Sequence, residues 1–184
     1  FNGYDATNGV ELWISDGTVA GTNILKDINP GFANSDPSQF YRIGNTLYFV
    51  AATAVGGAEL WKTDGTALGT VLVKDINPGA AGSGIIFSKG TGNNTLVNTL
   101  FFVANDGVNG AELWKTDGTG FGTQMVKNIS SGRGSPIFPS KFETVYAAKF
   151  LFFLANDNWN GLELCRTVGS PAGHCRVQST HPTG

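Results

Sequence analysis

The sequence predicts an all-β protein, a β-propeller-like array of four-stranded antiparallel blades holding about three and a half repeats. Three observations predict it. The octad Glu-Leu-Trp-Lys-Thr-Asp-Gly-Thr stands at 59–66 and again at 112–119, with a near copy at 11–18 and a degraded one, ELCRTVGS, at 163–170. The glutamates at 11, 59, 112 and 163 are spaced by 48, 53 and 51 residues, a period of propeller blades or solenoid turns. Ahead of the later copies runs a short apolar stretch rich in aromatic and β-branched residues, and no stretch carries a helical period.

One unit, read in order, shows how the pattern makes a blade. LYFVA at 47–51 reads as a buried strand, with LFFVA at 100–104 and LFFLA at 151–155 as its counterparts. Apolar residues on both faces fit a strand covered on both sides, as stacked blades require. A glycine-bearing loop leads into ELWKT, the second strand. DGTALGT is a turn in which Asp-Gly supports positive φ. VLVKDI at 71–76 is the third strand, and Asn77-Pro78-Gly79 ends it, because proline cannot donate to the ladder. A weaker fourth strand is marked by PSQF at 37–40 and PSKF at 139–142. These spans divide the chain into a partial first blade at 1–34, a second at 35–82, a third at 83–134, and a degenerate fourth blade with a C-terminal tail at 135–184. Aligned on glutamate, Phe1 falls at the position of Phe102. The first blade therefore lacks its fourth strand and most of its aromatic strand, which predicts an open edge, or completion by another chain or by missing residues. The chain opens on Phe1 rather than Met, as expected of a processed product or a fragment.

Composition narrows the function. The net charge is -2 and there is no basic run, which argues against nucleic acid, where Lys and Arg must replace phosphate counterions. No apolar run approaches the ~18 residues of a membrane span. The only histidines, His174 and His181, lie in the tail, and GxSxG, HExxH, phosphate-loop and CxxC motifs are absent. The expected protein is not an enzyme.

The string ELWxxDGT, followed by Gly-Thr and a Lys-Asp-Ile-like strand, resembles the bacterial ELWxxDGT repeat family. The resemblance covers nearly the whole chain. It implies a propeller-like repeat protein, extracellular or on the cell surface, with no defined catalytic activity.

Within the repeat, Trp13, Trp61 and Trp114 share one position. They read either as sugar-stacking platforms, one per blade, or as inter-blade packing, and a position shared by every blade inside an apolar strand favours packing. Glu11, Glu59 and Glu112 lie in a covered strand and need partners, because an unpaired buried carboxylate costs several kcal/mol. Lys26, Lys74 and Lys127, each 15 residues on, are one candidate; amides of the adjacent turn are the other. Asp16, Asp64 and Asp117 read as turn residues. The loops before the octad, NDGVNG at 105–110 and NDNWNG at 156–161, are rich in side-chain oxygens. They make Asp5, Asp106 and Asp157 candidate calcium ligands, with plain Asx turns as the competing reading. Trp159, Asp157, Asn160, Asp106 and Asn109 are the candidate ligand-contacting residues. Calcium is the one cofactor considered. Glycans or surface proteins are the expected partners, with self-association through the open blade edge as an alternative. Cys165 stands at the tryptophan position of the fourth copy. Cys175 follows across its turn, so the two are expected to form a disulfide that staples this hairpin. The proposed reason is that a terminal blade offers a large tryptophan no packing.

Overall fold

The computed structural model describes residues 1–87, 95–96, 98–129, 144–147, 150–156 and 162–170. They form fifteen strands in four antiparallel sheets, none closed on itself, with no helix among the described residues. Among the described residues no helix is long and apolar enough to cross a membrane. The first sheet is β1 (Asn2–Asp5), β2 (Gly9–Ile14) and β3 (Asn23–Lys26), in that order. The second is β4 (Ser38–Ile43), β5 (Thr46–Thr53), β6 (Gly57–Thr63) and β7 (Val71–Lys74). The third runs β12 (Gln124–Lys127), β11 (Ala111–Thr116), β10 (Thr99–Asn105), β8 (Ile86–Phe87), with β9 (Thr95–Leu96) also on β10. The fourth is β13 (Thr144–Ala147), β14 (Phe150–Asn156) and β15 (Leu162–Thr167). Each sheet falls inside one predicted repeat, and the first has three strands, with β1 at its edge. The strand start predicted at 139–142 lies outside the described residues.

Two compact units emerge, Phe1–Ile85 and Ile86–Gly184. In the first, Leu12 and Ile28 of the first repeat pack against Phe49, Ala51 and Trp61 of the second sheet. In the second, Phe101, Val103, Leu113 and Val126 of the third sheet pack against Leu151, Phe153, Ala155 and Cys165 of the fourth. Two of the aromatic strands are buried on both faces, as their unbroken apolar pattern requires: Tyr48, Phe49 and Val50 are all buried, as are Phe101, Phe102 and Val103. The stretch at 151–155 departs from this expectation: Leu151, Phe153 and Ala155 are buried against the third sheet, whereas Leu154 on the other face is exposed.

Two features refine the sequence reading. The third strand stops at Lys74, before Asp75 and Ile76, so the proline is not what ends it. It ends because the Ile76 and Asn77 amides leave the ladder for the Glu59 carboxylate. A register shift also recurs at one place, between Leu12 and Trp13, Leu60 and Trp61, and Leu113 and Trp114. It leaves one extra residue on the partner strand: Leu25, Val73 or Val126. Val73 and Val126 are buried, and Leu25 packs on the core of its unit. A bulge re-aims side chains in this way.

Candidate functional site

The octad has a buried half and an exposed half. Glu11, Glu59 and Glu112 are 0%, 1% and 0% exposed. Glu11 accepts the Ile28 amide at 2.8 Å, the Asn29 amide at 3.3 Å and the Ser35 hydroxyl at 2.6 Å. Glu59 accepts Ile76 at 3.0 Å and Asn77 at 3.4 Å, and Glu112 accepts Ile129 at 3.1 Å. The carboxylate thus ties the second strand to the loop that leaves the third. Amides take the role for which lysine competed. Lys26, Lys74 and Lys127 stand opposite Leu12, Leu60 and Leu113, and strand alternation turns those leucines away from the glutamate face. Lys26 Nζ donates instead to the Ala67 carbonyl, in the turn of the neighbouring sheet, at 3.4 Å. Burial pushes the Glu59 carboxyl above its ordinary value, against the pull of the Ile76 amide.

The aspartates close turns. Asp64 Oδ1 accepts the Thr66 amide at 2.9 Å and the Thr66 hydroxyl at 2.7 Å, and Asp16 and Asp117 repeat the arrangement. The Thr66 side-chain and backbone hydrogen bonds hold the Asp64 carboxyl below its ordinary value. Gly65 sits at φ 93°. The second glycine, Gly69, is required because the Asp64 carboxylate occupies the space a β-carbon would need.

A hydroxyl relay joins the halves, and the sequence reading passed over it. Thr63 and Thr70 stand 2.8 Å apart, the Gly65 amide donates to Thr63, and Thr70 donates to the Thr66 carbonyl. Thr116 and Thr123 repeat it at 2.7 Å, and Ser15 and Thr22 do so in the first copy. The signal was present: a hydroxyl residue precedes each Asp-Gly-Thr, and a threonine follows the second glycine.

The tryptophans pack. Trp61 lies in the core between the first and second sheets, and Trp114 is buried. Their indole Nε1 atoms, and that of Trp13, are buried without a hydrogen-bond partner, so the rings contribute area rather than polar recognition. Trp13 backs onto Gly3, where a β-carbon would come within 2.7 Å of the ring. Cys165 occupies the same position in the fourth sheet. It is buried in the core against the third sheet, and it is disulfide-bonded. The expected reason for the substitution is therefore corrected. This position faces the preceding sheet, which is present, so a terminal location does not deprive it of packing. Cys175 lies outside the described residues.

The oxygen-rich loops are Asx turns where they are described. Asp5 Oδ1 accepts the Thr7 and Asn8 amides at 2.8 Å each, and Asn8 Nδ2 donates to Oδ2 at 2.9 Å. The Asn8 side chain, then its backbone amide, hold the Asp5 carboxyl below its ordinary value. Asp106 accepts Val108 and Asn109 amides at 2.9 and 2.7 Å and the Asn109 side chain at 2.7 Å; Asn109 in turn accepts from Asn128 at 2.7 Å. Burial pushes the Asp106 carboxyl up, but these donors together outweigh it and hold it below the ordinary value. These oxygens accept N–H groups of their own loop. Among the described residues no group of three His, Cys, Asp or Glu side chains could hold a metal ion. Asp157, Trp159 and Asn160 lie outside the described residues.

Two further surfaces complete the inventory. A cleft of about 610 Å³ opens between the first and second sheets, lined by residues that include Phe1, Trp13, Ile14, Arg42, Asp64 and Gly65. At the Asp-Gly-Thr turns, Val19, Leu68 and Phe121 project into solvent at 96%, 93% and 90% exposure. No family model, no curated protein and no solved structure matches this chain.

Proposed function

We propose that this chain is a non-enzymatic binding or adhesion module. In this reading its repeats belong to the ELWxxDGT type, stack as propeller-like blades, and act outside the cell or at its surface. Its partners are glycans or surface proteins, met through the loops at the sheet ends. The observation that carries the reading is where the polar groups of the octad go. The glutamates, aspartates and threonines all engage the chain's own backbone, and the nearly bare Val19, Leu68 and Phe121 are left at the turn tips. Exposed apolar loop residues on a rigid scaffold suit contact with a partner better than chemistry.

Glycan arrays and surface-protein panels, probed with the wild type and with a Val19→Ser, Leu68→Ser, Phe121→Ser variant, test this. The expected result is binding that the variant loses while its circular dichroism stays unchanged. Equal binding by the folded variant would refute the role of the turn tips. A second reading, a building block of a surface layer, sheath or filament, is favoured by the open sheets, none of them closed on itself. Ordered self-assembly of the purified chain with no glycan or protein bound would select it.

A further inference from the structure

The segment that carries the chain from the first sheet to the second holds its one Asp-Pro bond, Asp36–Pro37. The next repeat supplies an internal control. Ser35-Asp36-Pro37 and Ser83-Gly84-Ile85 each begin 24 residues after their glutamate. Both serines are buried, and both donate their amides to the carbonyl just before that glutamate: Ser35 to Val10 at 2.9 Å and Ser83 to Ala58 at 3.1 Å. Both segments then turn left-handed, Gly84 at φ 57° and Asp36 at φ 46°. Glycine takes that conformation freely. Asp36 is strained twice over. Its β-carbon disfavours positive φ, and a following proline drives the residue before it to extended backbone, with φ about −120°.

The fold keeps this strain in place. The Ser35 carbonyl accepts the Ala52 amide of β5 at 2.8 Å, so Ser35 is bonded to both sheets, and its hydroxyl donates to Glu11. On the other side Pro37 is buried. Between these anchors Asp36 is exposed, and water reaches it. No described residue donates to its carboxylate, whereas Asp5, Asp16 and Asp64 are each held by amides of their own turns. A strained prolyl bond therefore stands beside a free carboxyl group.

We propose that Asp36–Pro37 is a self-cleavage site that the fold activates. The Asp36 side-chain carboxyl oxygen attacks the backbone carbonyl carbon of the same residue and closes a five-membered cyclic anhydride. The bond from that carbon to the Pro37 nitrogen breaks, and the carboxyl's proton passes to the nitrogen. Water then opens the anhydride, leaving Asp36 with a free α-carboxyl and Pro37 with a free amino group. The sum is hydrolysis of one peptide bond, with water the only co-reactant. Attack within one residue brings a high effective molarity, and cleavage releases the left-handed strain. The pieces stay together, because Leu12 and Ile28 remain packed against Phe49, Ala51 and Trp61. The product is a nicked unit.

The test incubates the full chain in mildly acidic heavy-oxygen water, once folded and once in concentrated urea, and follows it by mass spectrometry. The expected result is pieces 1–36 and 37–184, formed about tenfold faster from the folded chain than from the unfolded one. They should elute together from a gel-filtration column in native buffer. Heavy oxygen should enter both the α- and the β-carboxyl of Asp36, because water can open either side of the anhydride. Asp36→Gly, which takes the left-handed turn as Gly84 does, should keep the circular dichroism of the wild type and stay whole. Equal rates in the folded and unfolded chains, or no cleavage, would overturn the proposal. So would label confined to the α-carboxyl, or a glycine variant cut as fast as the wild type.

Discussion

Glu59 and Asp64 stand five residues apart in one copy of the octad, and their carboxylates live under opposite rules. Glu59 is buried, its pKa is raised by desolvation, and its amide partners lie 17 and 18 residues away. Asp64 is exposed, its pKa is lowered by hydrogen bonds from Thr66, and its partners lie two residues away. The lesson is that one short motif performs two jobs. Its first half closes the sheet through long-range contacts, and its second half builds a turn that depends on its neighbours in sequence alone. Substitutions in the first half should therefore cost far more than those in the second.

The largest effect should come from Trp61. Trp61→Ala should destabilise by about 3–5 kcal/mol, measured by urea unfolding followed by circular dichroism. Trp61→Phe should cost less than about 1.5 kcal/mol, because the indole N–H has no partner to lose. A phenylalanine variant as damaged as the alanine one would mean that the indole nitrogen matters. Next is Glu59→Ala, expected to cost about 1–3 kcal/mol by leaving the Ile76 and Asn77 amides unpaired.

The two carboxylates should also answer pH in opposite directions. Glu59 titrates higher folded than unfolded, so the folded state binds the extra proton between its ordinary value of 4.5 and its raised value. Stability from this group is full below 4.5 and falls as pH rises through the folded value. Asp64 titrates lower folded than unfolded, so its contribution is present above 3.8 and is lost as pH falls through the folded value. Denaturant titrations at several pH values check this. The stability of the wild type relative to Glu59→Gln should decline as pH rises from 4.5, and a flat difference would contradict the desolvated environment of Glu59.

Thr63→Val, which breaks the buried relay to Thr70 and strands the Gly65 amide, should cost about 1 kcal/mol. Asp64→Ala should have the smallest effect, with a thermal midpoint drop below that of Thr63→Val. An Asp64→Ala variant as unstable as Glu59→Ala would erase the division between the two halves.

Much of this architecture was legible in the residues. The apolar stretches at 47–51, 100–104 and 151–155 are central strands, and the first two are covered on both faces, where residues need no alternation. The Asp-Gly-Thr turns were legible for a different reason: the aspartate and threonine partners lie within four residues, so local chemistry decides them. Burial of Glu11, Glu59 and Glu112 was also readable, from their place inside an apolar strand.

What the linear pattern left open turns on direction. Lys26 and Glu11 looked like partners at a fixed spacing, but the pleat and the shift at Leu12/Trp13 send them to different sides. Cys165 looked like a residue at an uncovered end, whereas its side chain faces the neighbouring sheet. The two threonines of the relay, Thr63 and Thr70, meet only because the turn folds back. Strand identity and turn chemistry follow from residues near in sequence, so this sequence determined them by itself. Which face meets which sheet and which amide reaches a buried carboxylate depend on residues far apart in the chain. Only the packed tertiary structure decided those.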